Sequence, residues 1–157
     1  KDVSIAIAKT TDVSIAINKA NAVAIDKEKA MYICIATKDV KYISIAIHKA
    51  NIATAINNSM YFSVAIYKVA DVSLAAFMVT DVSVAIYEST EVSLVIHRAK
   101  AMFVSIAIAK TTNFSIATGK AKDISHTVEK AKYVSIIIDK AAYASLAIYK
   151  ALAVTRR

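Results

Sequence analysis

The sequence is built from one ten-residue unit that recurs about fifteen times and fills the chain from end to end. The first unit contains Asp2-Val3-Ser4-Ile5-Ala6-Ile7-Ala8-Lys9, and its valine position recurs at intervals of ten with two exceptions. The step from Ile43 to Ile52 is nine residues, and the step from Val92 to Val104 is twelve. A repeat this short and complete leaves no room for a separate catalytic domain, so the period constrains the fold before any other feature does.

Large and small residues alternate within each unit, as in Val3-Ser4-Ile5-Ala6-Ile7. A period of two with β-branched residues at the large positions is typical of a strand. A helix fails this test, because ten residues at 100° each leave a phase error of about 80° per unit and the large residues form no stripe. The alternation therefore predicts one strand per unit.

The turn residues favour a solenoid over a meander. Tight hairpins need residues with positive φ at each turn, usually glycine, but the chain contains one glycine, Gly119, and no proline. A parallel solenoid stacks like on like and needs the same sequence on every level. We therefore expect an all-β parallel β-solenoid, one repeat domain over residues 1–157, with a two-residue insertion near 100–102 and a short tail at 152–157. Candidate corner residues are Asn18, Asn21, Asn57 and Asn58.

Three columns of large residues predict the core. The columns that begin at Val3 and Ile5 are almost entirely apolar. The next large column, two residues further along each unit, also holds Lys27, Thr37 and Thr118, so we expect it to lie towards a frayed edge of the core.

The intervening columns hold almost only serine and alanine. The outer face of an ordinary half-buried strand is polar and variable. Strictly small residues on both columns predict that a partner lies close against this face or that the face is itself interior. The candidate residues of this flat face are Ser4, Ala6, Ser14, Ala16, Ser44, Ala46, Ser63, Ala65, Ser73, Ala75, Ser83, Ala85, Ser105, Ala107, Ser115, Ala117, Ser145 and Ala147.

Two coil sizes fit these columns. In a coil of about twenty residues, two strands face each other with the aliphatic residues inside. In a coil of ten residues, only small residues fit inside and the aliphatic face lies outside. The second arrangement exposes about forty large aliphatic side chains, each worth about 1.5–3 kcal/mol when buried. We therefore favour the twenty-residue coil, since the smaller one requires that its apolar face be an oligomer interface.

A basic residue follows the valine column by six positions in most units. Stacked rungs lie about 4.8 Å apart, so consecutive lysines form a ladder that either keeps the fold soluble or, with the net charge of +8, attracts a polyanion. We expect an interruption in the middle, at Asn58, Met78 and Glu88. The basic ladder comprises Lys9, Lys19, Lys29, Lys49, Lys68, Arg98, Lys110, Lys120, Lys130, Lys140 and Lys150.

Residues that usually carry chemistry are few and scattered. Cys34 replaces a serine, so we expect a small buried or half-buried side chain and no reactive thiol. His48 and His97 occupy equivalent positions and His126 falls in a core column, without the convergent ligands that a metal needs. Ser125 and His126 are neighbours in a strand and point to opposite faces. We therefore expect no enzyme activity, no metal and no cofactor.

Most tyrosines lie at unit boundaries, where we expect Tyr32 with Tyr42 and Tyr133 with Tyr143 to stack along the solenoid. Aromatic residues are poorly interleaved with basic ones, so nucleic acid is not an expected partner. No apolar run reaches 18 residues, so we expect no transmembrane segment. No signal peptide is visible.

Short motifs in the repeat, Ser63-Val64-Ala65-Ile66, Ser83-Val84-Ala85-Ile86 and Ser115-Ile116-Ala117-Thr118-Gly119-Lys120, resemble two bacterial repeat families. One is the head repeat of YadA-like trimeric autotransporter adhesins, a left-handed parallel β-roll. The other is the decapeptide repeat of bacterial and phage proteins. This chain has a shorter period than the adhesin repeat and a glycine after the motif in only one unit. The resemblance implies a β-solenoid with a surface or fibre role, which favours an extracellular location.

Three functions fit these features. The first is a non-enzymatic structural or interaction module, a fibre, stalk or adhesin-like solenoid that packs on copies of itself or on a flat protein or polysaccharide surface. The second is ice binding by the regular Ser/Ala face, although alternating threonine rows are absent. The third is polyanion binding by the lysines. None of the three uses a small-molecule substrate.

Overall fold

The chain forms a parallel all-β solenoid in a computed structural model that describes residues 1–97 and 101–156. Its strands are β1 (Asp2–Lys9), β2 (Asp12–Ile17), β3 (Ala20–His97) and β4 (Ala101–Arg156). β3 and β4 are long because strand hydrogen bonding continues through the corners of successive coils. β4 extends to Arg156, so most of the predicted short tail has strand geometry. The described residues contain no helix that could span a membrane.

Residues twenty positions apart are neighbours on adjacent coils. Val3 pairs with Val23 and Val13 pairs with Ile33, all in parallel register. The predicted coil of about twenty residues is therefore confirmed, and the ten-residue coil is excluded. Val82 pairs with Val104, twenty-two residues on, so this coil is two residues longer. The predicted insertion near 100–102 lies outside the described part, which leaves out Lys100 and the side chains of the two residues after it.

Alternate units form two opposite outer faces. Tyr32 and Tyr42 consequently lie on different faces, as do Tyr133 and Tyr143, and the predicted stacking of these pairs is wrong. Tyr42 instead stacks on Tyr61, one coil further on, with ring centroids 5.1 Å apart. Face A consists of the strands that start at Asp2, Ala22, Tyr42, Tyr61, Asp81, Phe103, Asp123 and Tyr143. Face B consists of those that start at Asp12, Tyr32, Asn51, Asp71, Glu91, Asn113 and Tyr133, and the end of β4, with Ala153 and Thr155, adds a partial rung.

The aliphatic residues of both faces point inward and form one continuous core. Along Val82–Ile86 the large residues are buried while Ser83 and Ala85 are exposed. Burial of a large aliphatic side chain contributes about 1.5–3 kcal/mol, and the same contribution recurs on every rung. The prediction that the large columns face inward is confirmed.

Polar residues in the third large column are buried as well. Lys27, Thr37 and Thr118 are 2 %, 4 % and 2 % exposed, so the expectation of a frayed edge is wrong. The aliphatic stem of Lys27 takes the place of an isoleucine, and its Nζ donates a hydrogen bond to the Thr10 hydroxyl. A long stem lets the charged end of a lysine reach a polar group from an apolar site. The hydroxyls of Thr37 and Thr118 have no hydrogen-bond partner.

The two corners of each coil are built differently. At the corner that follows the strands of face B, Asp39, Asn58 and Met78 have φ of 54°, 61° and 49°. Asn and Asp tolerate this left-handed conformation, whereas it costs other residues about 1–2 kcal/mol. The Asn58 amide also donates a hydrogen bond of 2.6 Å to the Asp39 carboxylate. Of the four asparagines predicted at corners, Asn58 alone has positive φ among the described residues.

The corner that follows the strands of face A is closed by small buried residues. Ala50, Val69 and Ser89 fill equivalent positions there. The Ser89 hydroxyl donates to the hydroxyl of Thr111 on the next coil at 3.2 Å, and Thr111 lies 3.1 Å from the Asn113 carbonyl. Ser89 and Thr111 thus link two coils at this corner by side-chain hydrogen bonds, whereas Ala50 and Val69 fill it by apolar packing.

His126 is the buried group on which acid stability should depend. Its side chain is 1 % exposed, and its Nε2 has no hydrogen-bond partner. Desolvation by burial lowers the pKa of His126 from 6.5 to about 4. The equivalent positions on the neighbouring coils are Ile106 and Leu146, so the site is shaped for an aliphatic side chain.

We predict that stability falls as the pH is lowered from 6.5 to 4. In this window the unfolded chain binds a proton at His126 and the folded chain does not, so the free energy of unfolding decreases with falling pH. The full loss is about 3 kcal/mol, since each pKa unit corresponds to about 1.4 kcal/mol. Urea titrations at several pH values measure it. His126→Leu should remove this component, and an unchanged pH dependence in that variant would contradict the assignment.

Candidate functional site

The small-residue columns lie on the outside of both faces. Of the predicted flat-face residues, most are exposed, and Ala75, Ala117 and Ala147 are half-buried by their neighbours. Alternate units contribute to opposite faces, so the predicted set divides into two surfaces. Ser4 and Ala6 begin the columns of face A, and Ser14 and Ala16 begin those of face B.

Face A carries a groove that runs along the solenoid axis, with a volume of about 830 Å³. We call it the aromatic groove. Asp26 and Glu28 lie at one end and Glu129 at the other. Its floor is formed by the small residues Ala46, Ala65, Ala85 and Ala107. Its wall is formed by the aromatic residues His48, Tyr67 and Tyr87.

The wall of the aromatic groove is a continuous stack of rings. His48 and Tyr67 have centroids 4.8 Å apart, and Tyr67 and Tyr87 have centroids 5.0 Å apart with an interplanar angle of 2°. Both faces of the Tyr67 ring are therefore covered by its neighbours. The wall presents ring edges to a ligand and has no free ring face at its centre.

Face B carries a second groove, which we call the serine groove, with a volume of about 470 Å³. The Asn113 amide donates a hydrogen bond of 3.1 Å to Glu91 and fixes part of its wall. The floor contains Ser73, Ser93, Ser115 and Ser135, and the wall contains Asp71, Glu91, Asn113 and Tyr133.

The alanine column of face B is apolar on every described rung. Val95 and Ile137 lie in this column and remain 44 % and 48 % exposed. Phe77, at the edge of the same face, is 45 % exposed and contacts His97 edge-on at 5.3 Å. We call this set the apolar column: Ala16, Ala36, Ala55, Ala75, Val95, Ala117 and Ile137.

The predicted basic ladder divides between two edges, because alternate units turn at opposite corners. The corners reached at the end of each face A strand form one edge, and its row of lysines is interrupted at Glu88. The predicted break at Asn58 and Met78 is therefore wrong for this edge. Those two residues belong to the other edge, and Arg98 lies outside the described residues. The first edge, the lysine row, contains Lys9, Lys29, Lys49, Lys68, Lys110, Lys130 and Lys150. The second contains Lys19, Asp39, Asn58, Met78, Lys120 and Lys140.

Glu88 is the acidic interruption of the lysine row. Its carboxylate lies 3.2 Å from Lys110 Nζ and 3.6 Å from Lys68 Nζ, so it bridges the rungs on either side. The hydrogen bond and the charge of Lys110, with a smaller contribution from Lys68, lower the pKa of Glu88. The carboxylate therefore stays ionised and neutralises the middle of the row.

Cys34 is exposed in the serine column of face B, so the prediction of a buried or half-buried side chain is wrong. Ser125 is exposed and His126 is buried, so this pair points to opposite sides as expected. Among the described residues no group of three or more His, Cys, Asp or Glu side chains is arranged to hold a metal ion.

No protein-family model matches the sequence, and comparisons with curated proteins and with solved structures give no significant match. The resemblance to adhesin head repeats and decapeptide repeats stays a prediction. The site must therefore be interpreted from its own geometry.

The assignment of inner and outer columns predicts a pattern of thiol accessibility. In a Cys34→Ser background, Ser73→Cys should react with a thiol reagent at the rate of a free thiol, because its side chain is exposed. Val72→Cys should be protected in the folded protein, since Val72 is 2 % exposed. Absorbance with a chromogenic disulfide measures both rates, and denatured samples give the reference. Equal rates in the folded state would contradict this orientation.

Proposed function

We propose that the chain is a non-enzymatic structural and interaction module that self-associates through face B. The observation that supports this proposal is the apolar column, which leaves Val95 and Ile137 nearly half exposed among alanines. On a strand face that contacts only water, such apolar side chains contribute no free energy of burial. Covered by a second copy, they would contribute about 25 cal/mol for each Å² of apolar area removed from water.

The dimensions of face B support the same proposal. Its seven complete strands span about 29 Å at 4.8 Å per rung, and six residues across each strand span about 20 Å. Complete coverage would bury about 580 Å² on each copy, or about 1,200 Å² in total, which is the lower limit of stable specific interfaces. The small floor would let two backbones approach closely, as stacked sheets do.

Sedimentation velocity tests this proposal. The wild type should form a concentration-dependent dimer, and Val95→Arg with Ile137→Arg should raise the dissociation constant more than about a hundredfold, because each buried unpaired charge costs more than about 1.4 kcal/mol. These side chains are exposed in the monomer, so the fold should tolerate the change.

The matched control places the same charges on the other face. Ala85→Arg with Thr127→Arg changes the equivalent column of face A and should leave the dimer intact. A wild type that remains monomeric at high concentration would overturn the proposal. Equal weakening of the dimer in both variants would show that added charge controls association, whichever face carries it.

Ice binding is a second candidate, which one observation on face A favours. Ser44, Ser63, Ser83, Ser105 and Ser125 form an unbroken exposed column with one hydroxyl per rung. A regular array of hydroxyls can order water. The aromatic side chains along both borders of this face stand higher than the serines, however, and would limit contact with a planar surface.

A thermal-hysteresis assay tests this candidate. If face A binds ice, the wild type should depress the freezing point and shape crystals, and Ser83→Tyr should abolish the effect because one large side chain breaks the plane. Ser93→Tyr, on face B, is the matched control. Absence of crystal shaping by the wild type would remove the candidate.

A further inference from the structure

The lysine row is a straight line of charge that the fold itself does not require. Lys9 pairs with Lys29 on adjacent coils, and Glu88 pairs with Lys110 in the same column. At about 4.8 Å per rung, the seven steps from the first lysine to Lys150 cover about 34 Å. Every lysine of the row is exposed.

The corresponding position on the other edge is not basic on every coil. Asp39, Asn58 and Met78 occupy it on consecutive coils, and the solenoid continues through them. Like charges on adjacent rungs repel each other, and exposed repulsion is only partly screened at such short separation. Glu88 is the one acid in the lysine row, so the repulsion remains along the other rungs.

A linear polyanion with regularly spaced charges would relieve this repulsion. A polyuronate or similarly charged polysaccharide carries one acidic group on each sugar ring, a spacing close to that of the rungs. In an extended chain neighbouring sugars are turned so that alternate carboxylates face the same side, which can place them opposite every second lysine. The phosphates of a nucleic acid duplex wind around its axis and would meet only a few lysines of a straight row.

The aromatic wall beside the row also favours a polysaccharide. His48 and Tyr67 precede Lys49 and Lys68 in sequence and line the same border of face A. Single-stranded nucleic acids bind by stacking bases on free aromatic faces. Both faces of Tyr67 are covered, so the wall offers ring edges and hydroxyl groups, which suit the hydroxyl groups of sugars.

From this geometry we propose that the lysine row binds a linear acidic polysaccharide extended along the solenoid axis. Glu88 divides the row into a segment of four lysines, ending at Lys68, and a segment of three, starting at Lys110. This site goes beyond the proposed self-association, since it lies on an edge and uses no residue of the apolar column.

Titration calorimetry with an octamer of mannuronic acid tests the proposal. Lys29→Gln, Lys49→Gln and Lys130→Gln together should weaken binding at least about tenfold and reduce its salt dependence between about 50 and 200 mM, because three charge contacts outside the Glu88 ion pairs are lost. Glu88→Gln should strengthen binding about threefold, the range expected for one exposed charge.

The matched control removes the same charge from the other edge. Lys19→Gln, Lys120→Gln and Lys140→Gln should change affinity less than about threefold, since distant exposed charges are screened. Circular dichroism confirms the fold of each variant, and sedimentation shows whether self-association is unchanged, which separates this test from the previous one.

Three results would overturn the proposal. They are no binding of the octamer by the wild type, equal loss in the two triple variants, or tighter binding of an eight-nucleotide thymidine oligomer than of the octamer. The second result would indicate a response to net charge alone, and the third would indicate a nucleic acid ligand.

Discussion

Backbone pairing between residues twenty positions apart is the constraint on which the rest of the structure depends. The pairing of Val3 with Val23 and of Val13 with Ile33 makes every second unit part of the same face. It places the large residues of two strands opposite each other across one core, and it leaves the serine and alanine columns outside. The two corners of each coil then become different environments, which is why one holds a lysine row and the other holds Asp39, Asn58 and Met78 in left-handed conformation.

The local pattern of the sequence was enough to predict the strands, the parallel solenoid, the inward columns and the outward columns. The ten-residue period alone is the same whether neighbours lie ten or twenty residues apart, and the coil of about twenty residues is predicted only when the cost of exposing the aliphatic side chains is added. The errors lie where consecutive units are treated as neighbours: Tyr42 stacks on Tyr61 and has Tyr32 on the opposite face, and the basic ladder separates into two edges. The exposure of Cys34 has another cause, since the small-residue column in which it lies faces outward on face B.

The polar residues of the core show how a repeated fold tolerates local departures. In a solenoid each coil contacts only its neighbours, so an unfavourable rung is offset by the rungs around it. Lys27 directs its charge to the corner through a long stem, whereas His126 stays neutral because its site is dry. Met78 takes a backbone conformation that glycine or asparagine would adopt at lower cost. These three residues each interrupt the repeat, and none of them interrupts the strand pairing.

The proposed surfaces are compatible with each other for a geometric reason. Like charge along the lysine row opposes the approach of two copies corner to corner, because exposed charges at short separation are only partly screened. That repulsion directs association towards a face, and face B has the exposed apolar residues, including Val95 and Ile137, that favour contact. A face-to-face pair would leave the lysine row of each copy open to solvent along its full length. Self-association would therefore double the number of rows available to a polyanion without covering any of them, and one polymer long enough to bridge both rows would bind more tightly than either row alone.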